Sequence, residues 1–272
     1  MSKILISFGT RPELIKLQPL MRKMEGVIQY ETLFTGQHVD LVKCDPDQRI
    51  QIKDGANRLD SVISSVMNSI NFQGIGSVMV QGDTTSAYAV ALSAFHNRIP
   101  VIHLEAGLRT WNLQQPYPEE ANRQMISRIA SLHLCPTEGA KSILERENVS
   151  GNIEVVGNTV LDNLTGIIPT TENKILVTMH RRENHESIKE WFSEINSLAM
   201  MHSNYNFLLP IHPNPAVREH AEILKSVEVV GPMCYDELVD YLSRCSYVIT
   251  DSGGIQEEAA FLRKPCLVCR EE

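Results

Sequence analysis

No stretch of this sequence is apolar for long enough to span a membrane. The opening residues, MSKILISFGT, carry only a strand-length apolar run, 4–8, before Gly9. The expectation is a protein that is neither membrane-anchored nor exported. Positive charge is also in short supply, with 25 basic residues against 33 acidic ones and a net charge of −8. That balance disfavours nucleic acid or an anionic membrane as a partner. Anions would have to be bound by local groups of Arg, His and backbone N–H. Cysteine is sparse and scattered, at 44, 135, 234, 245, 266 and 269, which reads as reduced thiols in a cytoplasmic protein. The one CxxC, Cys266 and Cys269 in KPCLVCRE, has no second pair at zinc spacing, so both are expected to be strand residues and no metal is called for. Two phosphate fingerprints are missing as well. No GxGxxG follows the first strand-like run and no GxxxxGK[ST] occurs, so neither that dinucleotide turn nor a P-loop is supported.

What the 272 residues do have is a steady alternation of short apolar runs with longer helical patterns. KILISF, ETLFT, SVMVQ, PVIHLE, LHLCP and IEVVG read as strands, and helical stretches over 13–24, 59–70, 84–95 and 119–130 separate them. The runs show little period-2 alternation, as expected of strands covered on both faces by helices. A Pro/Thr/Asn-rich stretch, GIIPTTENK, then reads as a linker. Beyond it the alternation restarts with KILVTM, NFLLPI, VEVVG, YVITD and PCLVC, with helices expected over 186–201, 216–225 and 235–243 and from Gly253. The fold class is therefore α/β, with two Rossmann-like parallel-sheet domains over 1–168 and 169–272. The chain stops directly after its last apparent strand, so the second domain is expected to be incomplete.

Ligands of parallel α/β domains bind at the carboxyl ends of the strands, and the polar motifs fall there repeatedly. GTRPELIK follows the first strand and brings Arg11 and Lys16 to a helix start, an arrangement suited to an anion. QGDTT places Asp83 at a strand tip, and HLEAGLRT adds His103, Glu105 and Arg109. Glu119 and Glu120 open a helix in PYPEEANRQ, where the helix dipole alone would account for one of them. In the second half, MHRREN supplies His180, Arg181 and Arg182, and IHPNP supplies His212. TDSGGIQEE closes the set. Ser252, Gly253 and Gly254 offer a hydroxyl and bare N–H groups at a helix start, and Glu258 lies one turn on, placed to accept from a ribose diol. Helix capping or surface charge would explain any one of these motifs. Six at consecutive strand ends favour a shared ligand cleft.

FGTRPELIK, QGDTTSA, HLEAGLRT, PYPEEANRQ, VVGNTVLD, VTMHRREN, IHPNPAVRE and TDSGGIQEEA stand in the order and approximate spacing of one family. From residue 3 to its end the chain resembles the non-hydrolysing UDP-N-acetylglucosamine 2-epimerases. The resemblance implies a GT-B-like arrangement of the two domains with a UDP-sugar substrate between them, no cofactor, and a homodimer. It implies interconversion of UDP-GlcNAc and UDP-ManNAc by elimination of UDP and its re-addition through a 2-acetamidoglucal. On the matching motifs, Asp83, Glu105, Glu119 and His180 would be catalytic. Ser252, Gly253 and Gly254 would hold the phosphates and Glu258 the ribose, with Arg11 and Lys16 also on the substrate. Gln37, His38, Arg181 and His212 match an activating second UDP-GlcNAc site of bacterial members, although Asp40 stands where those often carry Gln. Family members continue into a TERPE motif where this chain reads CREE. A related 2-acetamido-2,6-dideoxyhexose substrate, a hydrolysing epimerase, a GT-B glycosyltransferase and an inactive nucleotide-sugar binder are the alternative readings.

Overall fold

The structure is a computed structural model that describes residues 2–38, 45–53, 55–179, 184, 187–211 and 215–269. The chain divides into two compact units, Met1–Asp162 and Asn163–Glu272. The first runs β1 (Lys3–Phe8), α1 (Arg11–Met24), β2 (Tyr30–Phe34), β3 (Gln48–Arg49), α2 (Arg58–Met67), β4 (Ile75–Gln81) and α3 (Thr85–His96). It continues β5 (Val101–Leu104), α4 (Glu119–Ile129), β6 (Leu132–Cys135), α5 (Glu138–Arg146) and β7 (Asn152–Val155). Its strands form one parallel sheet in the order β3-β2-β1-β4-β5-β6-β7.

Strand β1 shows why period-2 alternation is missing from the sequence. Leu5 packs into a core with Val78, Val80 and the alanines of α3, whereas Ile6 and Phe8 pack with Leu14, Leu17 and Phe34 on the other face. Successive side chains point to opposite faces, and both faces are apolar because a helical layer covers each. Helix α3 is built from small residues: Ala87, Ala89, Ala91 and Ala94 are all essentially inaccessible. They let it lie tightly against the sheet and its neighbours.

The second unit runs β8 (Lys174–Thr178), α6 (Ile188–Met201), β9 (Asn206–Pro210), α7 (Pro215–Arg218), β10 (Glu228–Val230), α8 (Tyr235–Arg244), β11 (Tyr247–Thr250), α9 (Gly253–Phe261) and β12 (Cys266–Val268). Its five strands are parallel in the order β10-β9-β8-β11-β12. Val177, Phe192, Leu209 and Ile249 lie in its core. Both units thus carry the doubly wound order in which the first strand is central and the winding reverses beside it. Cys266 stands in β12 and the buried Cys269 just past it, each a free thiol.

One expected helix is different. Over 216–225 the chain makes a single turn, α7, and then a 3₁₀ turn at Ala221–Ile223, with i→i−3 bonds from Ile223 N to His220 O and from Leu224 N to Ala221 O. The helical spacing of Val217 and Leu224 is real, and both are buried. Two anchors this far apart can be buried by a tightened, interrupted turn as well as by a continuous helix. No helix among the described residues is long and apolar enough to cross a membrane.

Candidate functional site

In the first unit the winding reverses between β1 and β4, so the turns after these strands are the expected ligand edge. The turn after β1 is filled by the protein itself. Thr10 caps α1, and the buried Glu13 reaches back so that its Oε2 accepts from Gly9 N at 2.9 Å and Thr10 N at 2.7 Å. Its Oε1 accepts from the Thr84 hydroxyl at 2.8 Å, which ties the β1–α1 turn to the β4–α3 turn. Burial holds the Glu13 carboxyl above its ordinary range against these hydrogen bonds. The N–H groups of Gly9 and Thr10 at this helix start are thus taken by Glu13's own carboxylate. Gly9 is obligatory here for packing: a Cβ would lie 2.4 Å from both Ser86 Oγ and Thr35 Oγ1.

Three carboxylates gather beyond β4 and β5. Asp83 follows the Gly82 turn, and Arg123 of α4 is ion-paired with it. Burial raises the Asp83 carboxyl above its ordinary value, and the charges of Glu105 and Glu119 push the same way while Arg123 opposes them. Glu105 lies one residue past β5 with φ 65°, a left-handed conformation that breaks the strand's alternation. Strand periodicity from His103 therefore does not set its direction. Both its oxygens accept from Lys16 Nζ, at 2.8 and 2.6 Å, and Gln81 Nε2 donates to Oε2. Lys16, Gln81, Glu105, Asn158 and Thr159 line one shallow recess.

The two acids opening α4 divide their work. Glu120 is fully buried and accepts from Thr110 N at 3.0 Å, Trp111 N at 3.2 Å and Gln124 Nε2 at 2.7 Å, which fastens the preceding loop. Burial pushes its carboxyl up, but these bonds and Arg123 win and hold it below the ordinary range. Glu119 makes no hydrogen bond or ion pair among the described residues. A partly accessible carboxylate without a structural task, grouped with Asp83 and Glu105, suits proton transfer. Arg109 proves structural: its guanidinium is inaccessible and grips Glu147 at 2.8 and 2.9 Å.

In the second unit the winding reverses between β8 and β11, and α9 begins directly after β11. Asp251 is inaccessible, and its Oδ2 accepts from Asn184 Nδ2 at 3.0 Å. Ser252 caps α9, its Oγ accepting from Ile255 N. The N–H groups of Gly253 and Gly254 have no acceptor among the described residues. Glu258 is buried one turn on, and the Tyr235 hydroxyl donates to its Oε1 at 3.0 Å. Burial, together with the Glu258 charge, raises the Tyr235 phenol far above its ordinary value and keeps it a donor.

Gln37 is engaged within the first unit. Its Oε1 accepts from Ser86 N at 3.0 Å and Ser86 Oγ at 2.8 Å at the start of α3. His38 donates its backbone N–H to Gly9 O at 2.9 Å, and Arg11 is the first residue of α1. Asp40, His180, Arg181, Arg182 and His212 lie outside the described residues. The residues that the sequence reading missed are Arg123, Asn122 and Tyr235, which hold Asp83 and Glu258. Arg123 and Asn122 stand inside the PEEANRQ motif, so their position beside Glu119 was the available signal.

The fold and these two sets of groups define the class: an α/β protein of two Rossmann-like domains, with carboxylates grouped at a strand edge of one and a bare glycine helix start in the other. The chain belongs to the UDP-N-acetylglucosamine 2-epimerase family, whose model matches residues 22–272. It is 38% identical to the UDP-N-acetylglucosamine 2-epimerase of Salmonella borreze, in an alignment covering 100% of this chain and 82% of the relative. The crystal structure of the Neisseria meningitidis UDP-GlcNAc 2-epimerase bound to UDP-GlcNAc superimposes with a TM-score of 0.87 at 34% identity, covering 99% of this chain and 83% of that one. That of the Methanocaldococcus jannaschii enzyme, in complex with UDP-GlcNAc and UDP, gives 0.79 at 28% identity, covering 99% and 84%.

Proposed function

We propose that this protein interconverts UDP-GlcNAc and UDP-ManNAc by inverting C2. The observation that carries the reading is the grouping of Asp83, Glu105 and Glu119 beyond β4 and β5 in a chain of this family. Relatives of known structure bind UDP-GlcNAc, and one also binds UDP.

The C2 proton adjoins no carbonyl, so simple abstraction is unfavourable. Elimination removes that difficulty: a carboxylate takes the C2 proton as the C1–O bond breaks, and its electron pair leaves with UDP. The product is a 2-acetamidoglucal with a C1–C2 double bond. Re-addition forms the C1–O bond again while a carboxyl group delivers a proton to the opposite face of C2. The first unit supplies the acids and bases for these transfers. The second supplies Ser252, Gly253 and Gly254 to the diphosphate, where N–H donors stabilise the departing charge. Glu258, oriented by Tyr235, accepts from the ribose. Arg11 and Lys16 are further substrate contacts, with Lys16 exchanging its carboxylate partner for phosphate. His180 acts at the leaving diphosphate. The same reading carries a homodimer in the cytoplasm, which light scattering of the purified protein checks for oligomeric state.

Incubation with UDP-GlcNAc in deuterated water tests the reaction. UDP-ManNAc carrying deuterium at C2 is the expected product. Recovery of unlabelled starting material alone would sink the proposal, and stoichiometric free UDP would select a hydrolysing reaction instead.

A further inference from the structure

We propose that His103 and Asn122 clamp the backbone of Gly82 and Asp83 and are the positioning residues of the Asp83 carboxylate, an inference that rests on Asp83 being one of the reaction's acid–base groups. Three of the four backbone polar groups of Gly82 and Asp83, just past β4, are held from three directions. Gly82 N donates to Leu104 O at 2.9 Å, Gly82 O accepts from His103 Nε2 at 2.8 Å, and Asp83 O accepts from Asn122 Nδ2 at 2.9 Å. Gly82 stands at φ 68°, a conformation that other residues enter only under strain, so the turn needs holding. Arg123, the next residue of α4, takes the carboxylate itself. One helix thus grips the main chain of Asp83 with one residue and its side chain with the next.

The chemistry of His103 points to position rather than stability. A carbonyl only accepts, so the Nε2 that meets Gly82 O carries the proton. Nδ1 is then a lone-pair acceptor, and it is buried with no hydrogen-bond partner among the described residues. Orphaning a buried acceptor costs free energy that a leucine in the same space would not incur. Burial also holds the imidazole neutral, with its pKa lowered to about 3, so the donor persists at every working pH. The molecule carries its own control. His133 on β6, paired in register with His103, makes the same bond to Ser150 O and has the same orphaned Nδ1. Ser150 precedes β7, at the opposite edge of the parallel sheet from Asp83.

The test compares His103→Leu, His103→Gln, Asn122→Ala and His133→Leu with the parent in kcat, KM and UDP affinity. The Asp83 carboxyl is titrated in each by NMR with ¹³C-labelled aspartate. His103→Leu is expected to lower kcat about ten- to a hundredfold with KM and UDP affinity unchanged, and to move the Asp83 titration. His103→Gln, which keeps a donor at the same reach, restores both, and His133→Leu changes neither. Parental kcat and titration in His103→Leu, a Gln variant no better than Leu, or an equal loss in His133→Leu overturns the clamp. Should His103→Leu fail to fold, Asn122→Ala carries the same comparison, and parental kcat and titration there overturn it. A parent without epimerase activity whose Asp83 titration still follows His103 refutes the functional reading and leaves the clamp standing.

Discussion

At Gly254 an added methyl group would meet, among the described residues beyond its chain neighbours and its own helix backbone, no atom closer than Ser252 Oγ, 4.0 Å away, and the backbone there is not left-handed. Neither packing nor conformation requires glycine at this position, in contrast with Gly9. The proposed function supplies a requirement, close approach of a phosphate to the helix start. Gly254→Ala should therefore leave the melting temperature unchanged or slightly raised, because alanine favours the helix. UDP affinity, read by calorimetric titration, should fall about tenfold or more, corresponding to about 1.4 kcal/mol. A variant that binds UDP as the parent does would remove the glycine from the phosphate site. Asp83 gives a parallel separation of stability from function. Its carboxyl titrates above the ordinary value, so the folded state holds its proton more tightly than the unfolded state does. Stability then falls as pH rises from the ordinary value through the raised one. Asp83→Asn removes that cost while its amide oxygen can still accept from Arg123. Turnover should drop about 10²- to 10⁴-fold at neutral pH with no loss of melting temperature.

Among the elements, α1 shows a local motif whose residues were legible and whose partner was not. The sequence placed GTRPELIK at a strand–helix turn and read that turn as suited to an anion. Only the fold reveals that Glu13 fills it, because the carboxylate's third bond comes from Thr84 on a distant strand–helix turn. Glu13→Ala would leave the donors of Gly9, Thr10 and Thr84 without their acceptor. The expected loss is about 1–3 kcal/mol per buried group left unsatisfied, observed as a lower denaturant midpoint. The same distinction runs through the rest of the chain. Apolar runs such as 3–8 and 174–178 could be read because strands buried on both faces are continuous in sequence. The two-residue β3 and the interrupted turn over 215–223 could not, since too few side chains define them. The strand-tip positions of Asp83 and Glu105 were legible, but the left-handed Glu105 and the partners Arg123, Asn122 and Tyr235 depend on contacts between elements.

At the scale of the whole molecule, the two units should answer to different variables. The first buries His103 and His133 on neighbouring strands. Burial lowers both, His103 to about 3 from an ordinary 6.5. A base held neutral in the fold but free to protonate when unfolded makes the unfolded state the better proton acceptor below 6.5. Their contribution to stability is therefore complete above that pH and declines as pH falls toward 3. For His103 the decline is about 1.4 kcal/mol per pH unit. The second unit carries the proposed nucleotide site, and a ligand at a hundred times its Kd stabilises what it binds by about 2.7 kcal/mol. Hydrogen exchange followed by peptide mass, corrected for the intrinsic pH dependence of exchange, separates the two effects. Lowering the pH from 7 to 5.5 should speed exchange in peptides covering β5 and β6, and His103→Gln, which cannot protonate, should blunt that response. Saturating UDP should slow exchange at the start of α9 at either pH. Acid sensitivity spread evenly over the chain and untouched by His103→Gln would show that the buried imidazoles do not set it. UDP protection absent from α9 would remove the nucleotide from the glycine helix start.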